Sequence, residues 1–430
     1  MKNRFSEKNL IVLNGQKRSY IYDAPSNKIF ATTLDEGLII QQSQAKGLSE
    51  IDVENSLNSI VALEEGYKPS HRDFLVDHKL LKLTMLVATD CNLRCKYCYA
   101  NHGDYYGYSK SVMKPETAIS YIEHLQEYFS EIGRIQFFGG EPLLGIDAIE
   151  AVCNYFREKE IKKEISHRPK YTMITNLTLL SQKAIDVIRE NDISLTVSID
   201  GPEPVNDFSR IDAKGNGTYK TIVRNIDVCR EQIKAFEATY TKYHAKSGMT
   251  MEDVKNYIAR TFKIDKALIY VCAAIGDNPE VCFSSDEARS ITLGMEEAET
   301  NETAAALLLK KENQSNLLCN AGYVMLAVMP NGDLYPCHMY ALDKSFRMGT
   351  FGENGYSDLR DSVYRVRNLL KEADKFSHTE CKECWARNFC HRCPAELLIM
   401  NPNRRINFEC EERKEHYKRN LINCLDKRIK

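Results

Sequence analysis

Leu83-Thr84-Met85-Leu86-Val87-Ala88-Thr89-Asp90-Cys91-Asn92-Leu93-Arg94-Cys95-Lys96-Tyr97-Cys98 is a short apolar run followed at once by three cysteines. The run from Leu83 to Ala88 has the length and β-branched or bulky character of a buried strand, and Thr-Asp ends it. Three thiolates from one short loop suit three irons of a 4Fe-4S cubane and leave the fourth iron without a protein ligand. A closed zinc site needs a fourth Cys or His, and none stands at a familiar spacing beside Cys98.

Outward from this stretch the chain alternates strand and helix. Further strands are expected at Arg134 to Phe138, Tyr171 to Thr175, Leu195 to Ile199, Phe236 to Tyr240 and Ala267 to Cys272. Between the first two, Pro115 stands at a first-turn position, and Ile119, Ile122, Leu125 and Phe129 follow at helical spacing. Such alternation implies parallel strands with crossover helices, an α/β sheet or barrel whose site lies at the C-terminal strand ends.

Each motif directly follows a strand. Phe137-Phe138-Gly139-Gly140-Glu141-Pro142 ends the second, Thr175-Asn176-Leu177-Thr178-Leu179-Leu180 the third, and Ser198-Ile199-Asp200-Gly201-Pro202 the fourth. With the CxxxCxxC run, these resemble the cluster loop and the GGE, TNGTLL and SIDGP motifs of radical S-adenosylmethionine (SAM) enzymes. The resemblance implies a partial (β/α)6 TIM barrel. It also implies a cluster on Cys91, Cys95 and Cys98, and SAM contacts from Tyr97, Gly139, Gly140, Glu141, Asn176, Ser198 and Asp200. Leu177 stands where the family usually has Gly, which leaves the backbone conformation there open. Arg210 matches an arginine often found downstream; it is either a carboxylate contact or a loop arginine at the surface.

A second cysteine group comprises Cys319, Cys337, Cys381, Cys384, Cys390, Cys393 and Cys410. In order and spacing it resembles the SPASM domain, which holds two auxiliary 4Fe-4S clusters, making three in all. The last close pair here has two intervening residues where the family has three. By resemblance Cys381, Cys384, Cys390 and Cys410 ligate the outer auxiliary cluster, and Cys319, Cys337 and Cys393 the inner one. Anaerobic sulfatase maturases, which are related, supply the inner cluster's fourth ligand from a Cys six residues before the first. That residue here is Asn313, so the inner cluster has either an open iron or a ligand from Cys272 or Cys282. The same maturases carry an acidic base directly after the equivalent of Cys337, where this chain has His338. The Pro336-Cys337-His338 arrangement is more like maturases that join cysteine sulfur to carbon. His338 either relays a proton there or only hydrogen-bonds at the cluster edge.

Residues 1–80 read as a separate module. Strand-like runs at Leu10 to Leu13, Ser19 to Tyr22 and Lys28 to Thr32 precede a helix from Leu34 to about Gln44. A second helix is expected from Ser49, with Ile51, Leu57, Ile60, Val61 and Leu63 largely on one face. The pattern is winged-helix-like. Glu50, Asp52, Glu54, Glu64 and Glu65, with no Lys or Arg between residues 50 and 65, would repel phosphate, so DNA is not the expected partner. Peptide-modifying radical SAM enzymes frequently carry such a module, a RiPP recognition element, which takes a leader peptide as an added strand. The expected organisation is therefore 1–80 recognition module, 81–300 radical SAM core and 301–430 SPASM domain.

The 430 residues are 43% apolar with a formal charge of -2, and contain no run long enough to span a membrane. Fifteen cysteines, an odd count, suit metal ligation in a reducing cytoplasm better than disulfides. The leading expectation is an enzyme forming thioether crosslinks of the sactipeptide or ranthipeptide type. Its partners would be a Cys-containing precursor peptide with a leader and an electron donor such as flavodoxin or ferredoxin, with no nucleic acid and no membrane. Alternatives are a carbon–carbon crosslinker, a formylglycine-type oxidase and, from another class, an iron-sulfur winged-helix regulator.

Overall fold

A computed structural model of the chain describes residues 10–24, 28–45, 61–64, 73–284, 287–288, 291, 317–351, 359–388, 390, 393–399 and 410–428. They form two compact units: one from within Met1–His71, Glu296–Asn320 and Leu370–Lys430, the other from within Arg72–Met295 and Ala321–Leu369.

The first unit opens with β1 (Leu10–Asn14), β2 (Ser19–Asp23), β3 (Lys28–Thr32), a helix over Leu34–Ala45, and β4 (Val61–Glu64). The four strands make an antiparallel sheet in chain order. β4 corrects the expected second helix at its end: Val61, Ala62 and Glu64 pair with β3, against Ala31, Phe30 and Ile29. Apolar spacing at three residues fits a helix turn locally, but strand pairing decides the conformation. The start of that helix at Ser49, with Ile51, Leu57 and Ile60, lies outside the described residues, as does Asn313.

One face of this sheet is buried against the other end of the chain. Leu13, Tyr20, Tyr22, Ile29 and Ala31 share a core with Trp385, Ala386, Tyr417, Leu421 and Leu425, and Cys384 and Cys390 pack against it. Tyr417, Leu421 and Leu425 recur every four residues on the helix Glu411–Arg428, giving it one apolar stripe. Tyr20 donates its hydroxyl to Asp426 at 2.7 Å, and Tyr22 meets Trp385 edge-on with ring centroids 6.4 Å apart.

The second unit is built on β5 (Lys79–Leu80), β6 (Lys82–Ala88), β7 (Glu131–Ile132), β8 (Arg134–Gly139), β9 (Lys170–Thr175), β10 (Ser194–Ser198), β11 (Ile233–Tyr240) and β12 (Ile269–Ala273). β13 (Met325–Val328), β14 (Asp333–Tyr335) and β15 (Gly349–Thr350) complete it. Nine of these strands form one sheet in the order β12-β11-β10-β9-β8-β6-β13-β14-β15, and β5 pairs with β7 apart from it. Every pair from β12 to β13 is parallel, while β14 and β15 return antiparallel. The six strands expected from the sequence are six of the seven parallel strands, and β13 is the seventh.

Helices cover one face of this wall. Pro115 opens the helix Pro115–Tyr128, and the Ser181 hydroxyl caps Gln182–Glu190 by accepting the Ala184 N–H at 3.2 Å. Residues facing the helices, such as Ile135, Phe137, Met173, Leu195, Val197 and Phe236, are buried. Their neighbours along the strands, pointing to the opposite face, are the half-buried Gln136, Phe138, Thr172, Ile174, Thr196, Ser198, Glu237 and Thr239. That second face is the inside of the barrel. No described helix is long and apolar enough to cross a membrane.

Candidate functional site

The cluster loop leaves β6 and is shaped by close backbone packing. Gly140 donates to Ala88 O at 2.9 Å and Glu141 to Asp90 O at 3.0 Å, so the ends of β6 and β8 lie against each other. A Cβ on Gly139 would meet Ala88 O at 2.3 Å, and one on Gly140 would meet Asp90 O at 2.2 Å. Gly139 also has φ +143°, so both glycines are needed for this approach.

Within the loop, the thiols receive backbone donors: Leu93 N–H to Cys91 Sγ at 3.4 Å and His102 N–H to Cys98 Sγ at 3.2 Å. The amide of Asn176 reaches Cys91 Sγ at 3.8 Å. Burial raises all three thiols, Cys95 to about 12, so binding a metal there would displace protons. Among the described residues no three His, Cys, Asp or Glu side chains converge on the position of a single ion. A cubane takes one thiolate per iron and requires no such convergence.

Asp200, fully buried after β10, is the hub of the site. It accepts the Tyr97 hydroxyl at 2.5 Å and, on its other oxygen, Arg210 Nη2 at 3.1 Å and Thr239 N–H at 3.0 Å. His244 Nδ1 accepts the Thr241 N–H at 3.0 Å, which leaves Nε2 to donate to Asp200 O at 2.7 Å. Burial lowers the pKa of His244, in keeping with that neutral tautomer. Arg210 is a buried residue, and its Nε has no hydrogen-bond partner among the described residues. An orphaned guanidinium N–H beside a cluster loop fits an anionic ligand such as the carboxylate of SAM.

Glu141 ties two strand ends together. Its carboxylate accepts the Thr175 hydroxyl at 2.6 Å, Asn176 N–H at 2.8 Å and Leu143 N–H at 3.0 Å. Burial nevertheless pushes its pKa up to about 7, the three hydrogen bonds opposing. Asn176 turns to the cluster loop, donating to Asn92 Oδ1 at 3.1 Å and accepting the Thr178 hydroxyl at 2.6 Å. Leu177 has φ +57°, the left-handed conformation that glycine favours, with its side chain fully buried. Ser198 ends β10 on the inner face.

On the β14 side, Cys337 follows Tyr335, whose hydroxyl lies 2.5 Å from that of Tyr108. Tyr108 also donates to Asp333 at 2.9 Å. His338 packs on Phe138 with ring centroids 4.5 Å apart, and its Nδ1 is buried with no partner among the described residues. Burial, with Lys82 adding, pushes its pKa down to about 3. Of the alternative inner-cluster ligands, Cys282 is buried among Ala274, Val281, Tyr97 and Phe208, and Cys272 lies exposed on β12.

In the first unit, Cys390, Cys410 and Cys384 lie within electrostatic reach of Cys381 and, after burial, help push its pKa up to about 12. Cys319 and Cys393 are half-buried and exposed. Thr239, Thr241 and His244 were not identifiable from the sequence: they are joined to Asp200 only by folding. The Thr241-x-x-His244 capping box gives a local signal, but with His in place of the usual Glu or Gln.

Two family descriptions match the chain: the radical SAM superfamily over residues 85–260 and the SPASM iron-sulfur cluster-binding domain over residues 319–385. The radical SAM cyclopropyl synthase TigE of Paramaledivibacter caminithermalis is 26% identical over 270 residues. That match takes in 60% of this chain and 51% of TigE, so the chain spans about half of that relative. A cysteine-type anaerobic sulfatase-maturating enzyme of Clostridium novyi is 21% identical over 377 residues, 79% of this chain and 95% of the relative. Among solved structures, native anSMEcpe with bound AdoMet superposes with a TM-score of 0.64 at 18% identity, over 81% of this chain and 100% of that one. With the thiol-bearing loop, the inward-facing barrel motifs and the second cysteine set in place, the chain carries a radical SAM domain over residues 85–260 and a SPASM iron-sulfur domain over residues 319–385.

Proposed function

We propose that the protein is a peptide maturase that joins cysteine sulfur to carbon in a ribosomally synthesised precursor. In this organisation residues 1–80 take the leader peptide, 81–300 form the radical SAM core and 301–430 hold two auxiliary clusters. Bound at Cys91, Cys95 and Cys98, a 4Fe-4S cluster with SAM would supply the electron and the 5'-deoxyadenosyl radical that removes a hydrogen atom from carbon. The chain's own residues bind and orient. Arg210 Nε offers a donor to the SAM carboxylate, Asp200 fixes Arg210 and Tyr97, and Glu141 holds the ends of β8 and β9 in register.

The observation that carries the thioether reading is the residue after Cys337. A maturase that oxidises Cys or Ser uses a carboxylate base there, whereas His338 is a half-buried imidazole packed on Phe138, its pKa held down to about 3. A second reading, carbon–carbon bond formation, is favoured by the likeness to a cyclopropyl synthase. Peptide as substrate class is supported by the solved relative anSMEcpe, which holds AdoMet together with a Cp18Cys peptide.

The test is anaerobic turnover with a Cys-containing precursor, read by mass and by thiol alkylation. A thioether product loses two hydrogens per crosslink and one alkylatable thiol. A carbon–carbon product loses two hydrogens and keeps the thiol, which would replace the first reading by the second. Replacing Cys91, Cys95 and Cys98 together by Ala should abolish 5'-deoxyadenosine formation while iron remains at the auxiliary sites.

A further inference from the structure

Glu237 stands in the middle of β11 and turns into the barrel. Its neighbour Phe236 faces the helices, stacked on Phe262 with ring centroids 4.9 Å apart, and alternation sends Glu237 to the opposite face. Strand register places it beside Ser198 of β10 and Tyr270 of β12, with Thr239 and Cys272 paired one step further on. Thr239 N–H bonds to Asp200, so this patch adjoins the hub that fixes Arg210 and Tyr97. Ser198, Thr239, Tyr270 and Cys272 carry no carboxyl group, and Glu237 is the carboxylate among them. Its backbone carbonyl accepts the Ile199 N–H at 2.9 Å, but its carboxylate makes no hydrogen bond or ion pair among the described residues, whereas Glu141 and Asp200 have each of their carboxylate oxygens engaged.

We propose that Glu237 is the proton acceptor for the substrate thiol, so that this inner-face patch of β10–β12 is where the peptide's cysteine is received. The inference rests on the thioether reading above. Sulfur must lose its proton before it bonds to carbon, and the place after Cys337 holds no carboxylate to take it. Per crosslink, one C–H and one S–H bond break and one C–S bond forms. The hydrogen atom from carbon would leave in 5'-deoxyadenosine, the thiol proton passes to Glu237, and an auxiliary cluster, held by the second cysteine group, would accept the remaining electron.

The surroundings suit the task. Burial raises the Glu237 pKa, Arg210 opposes and Asp200 adds, and Tyr99 is a further titratable group acting on it. A carboxylate held above its ordinary range is a better acceptor for a thiol proton near neutrality.

The experiment compares wild type, Glu237→Gln and Glu237→Asp, each with iron content and circular dichroism matched. E237Q should form crosslinks on the order of 100-fold more slowly than wild type. With peptide present it should therefore release 5'-deoxyadenosine uncoupled from product. Its crosslinking rate should keep rising with alkaline pH, following the free thiol, while wild type levels off once Glu237 is ionised. E237D, with the acid retained on a shorter arm, should recover part of the rate. An E237Q enzyme with the wild-type rate and pH profile overturns the role of Glu237. A wild type that binds peptide and cleaves SAM but forms no C–S bond overturns instead the thioether reading.

Discussion

The Tyr97 hydroxyl donates to Asp200 at 2.5 Å, so the residue before the last cluster cysteine is fastened to the end of the fourth barrel strand. Arg210 binds the other Asp200 oxygen, and both charged side chains are buried. The pair is thus a hinge point between the cluster loop and the barrel wall.

Asp200→Asn should destabilise the apo protein by about 3–5 kcal/mol, because it leaves the Arg210 charge buried without its counterion. Urea unfolding of the metal-free protein checks the magnitude. Iron at the Cys91, Cys95 and Cys98 site should fall with it, measured by EPR in a background where the auxiliary cysteines are replaced.

Glu141 gives a pH signature. Its folded pKa, about 7, lies above the ordinary 4.5, so the folded state holds the proton more tightly and stability falls as pH rises from about 4.5 to 7. The loss attributable to this group is on the order of 3 kcal/mol. Glu141→Gln carries a constant penalty for facing two backbone N–H donors with an amide, but it should remove this slope. Equal slopes for the two proteins in urea unfolding between pH 5 and 8 would contradict the assignment.

Gly140→Ala places a Cβ 2.2 Å from Asp90 O, and backbone cannot give way as a flexible side chain can. The cluster loop must shift, at a cost of about 1–3 kcal/mol. SAM cleavage should fall while auxiliary-cluster iron is retained.

Asn388 is buried and donates to the Tyr22 hydroxyl at 3.0 Å and to Ala24 O at 2.8 Å, tying the cysteine loop of the first unit to its sheet. Asn388→Ala should cost about 2 kcal/mol, through lost hydrogen bonds and a stranded carbonyl. Hydrogen exchange should accelerate over residues 19–24, and iron held by Cys381, Cys384, Cys390 and Cys410 should decline in parallel.

Much of the barrel was legible because each strand is a compact apolar run ended by turn residues, and the motifs lie where strands stop. The boundaries moved where local signals competed. β11 begins at Ile233 rather than Phe236, and a short turn over Lys266–Leu268 delays β12 to Ile269. Val61–Glu64 read as helix because its apolar spacing is ambiguous over four residues, and only pairing with β3 makes it a strand. The short strands β13 to β15 were not anticipated. Tyr97 and Arg210 were legible as site residues but not as partners of Asp200, and Thr239 and His244 were not legible at all: the four span 148 positions of sequence, and only the closure of the sheet brings them to one aspartate.

The hydrogen bond between Tyr20 and Asp426 joins residues 406 positions apart. During synthesis at roughly 5–20 residues per second, Tyr20 waits about 20–80 s for Asp426 to be made. Over that interval β1 to β3 exist without Tyr417, Leu421 and Leu425 to cover their apolar face, while the parallel strands from Lys82 to Ala273 follow one another in sequence and β13, the other neighbour of β6, is made well before Asp426. The helix Glu411–Arg428 therefore covers a sheet made long before it, and a ribosome that stops short of Glu411 releases a chain whose amino-terminal strands remain adhesive.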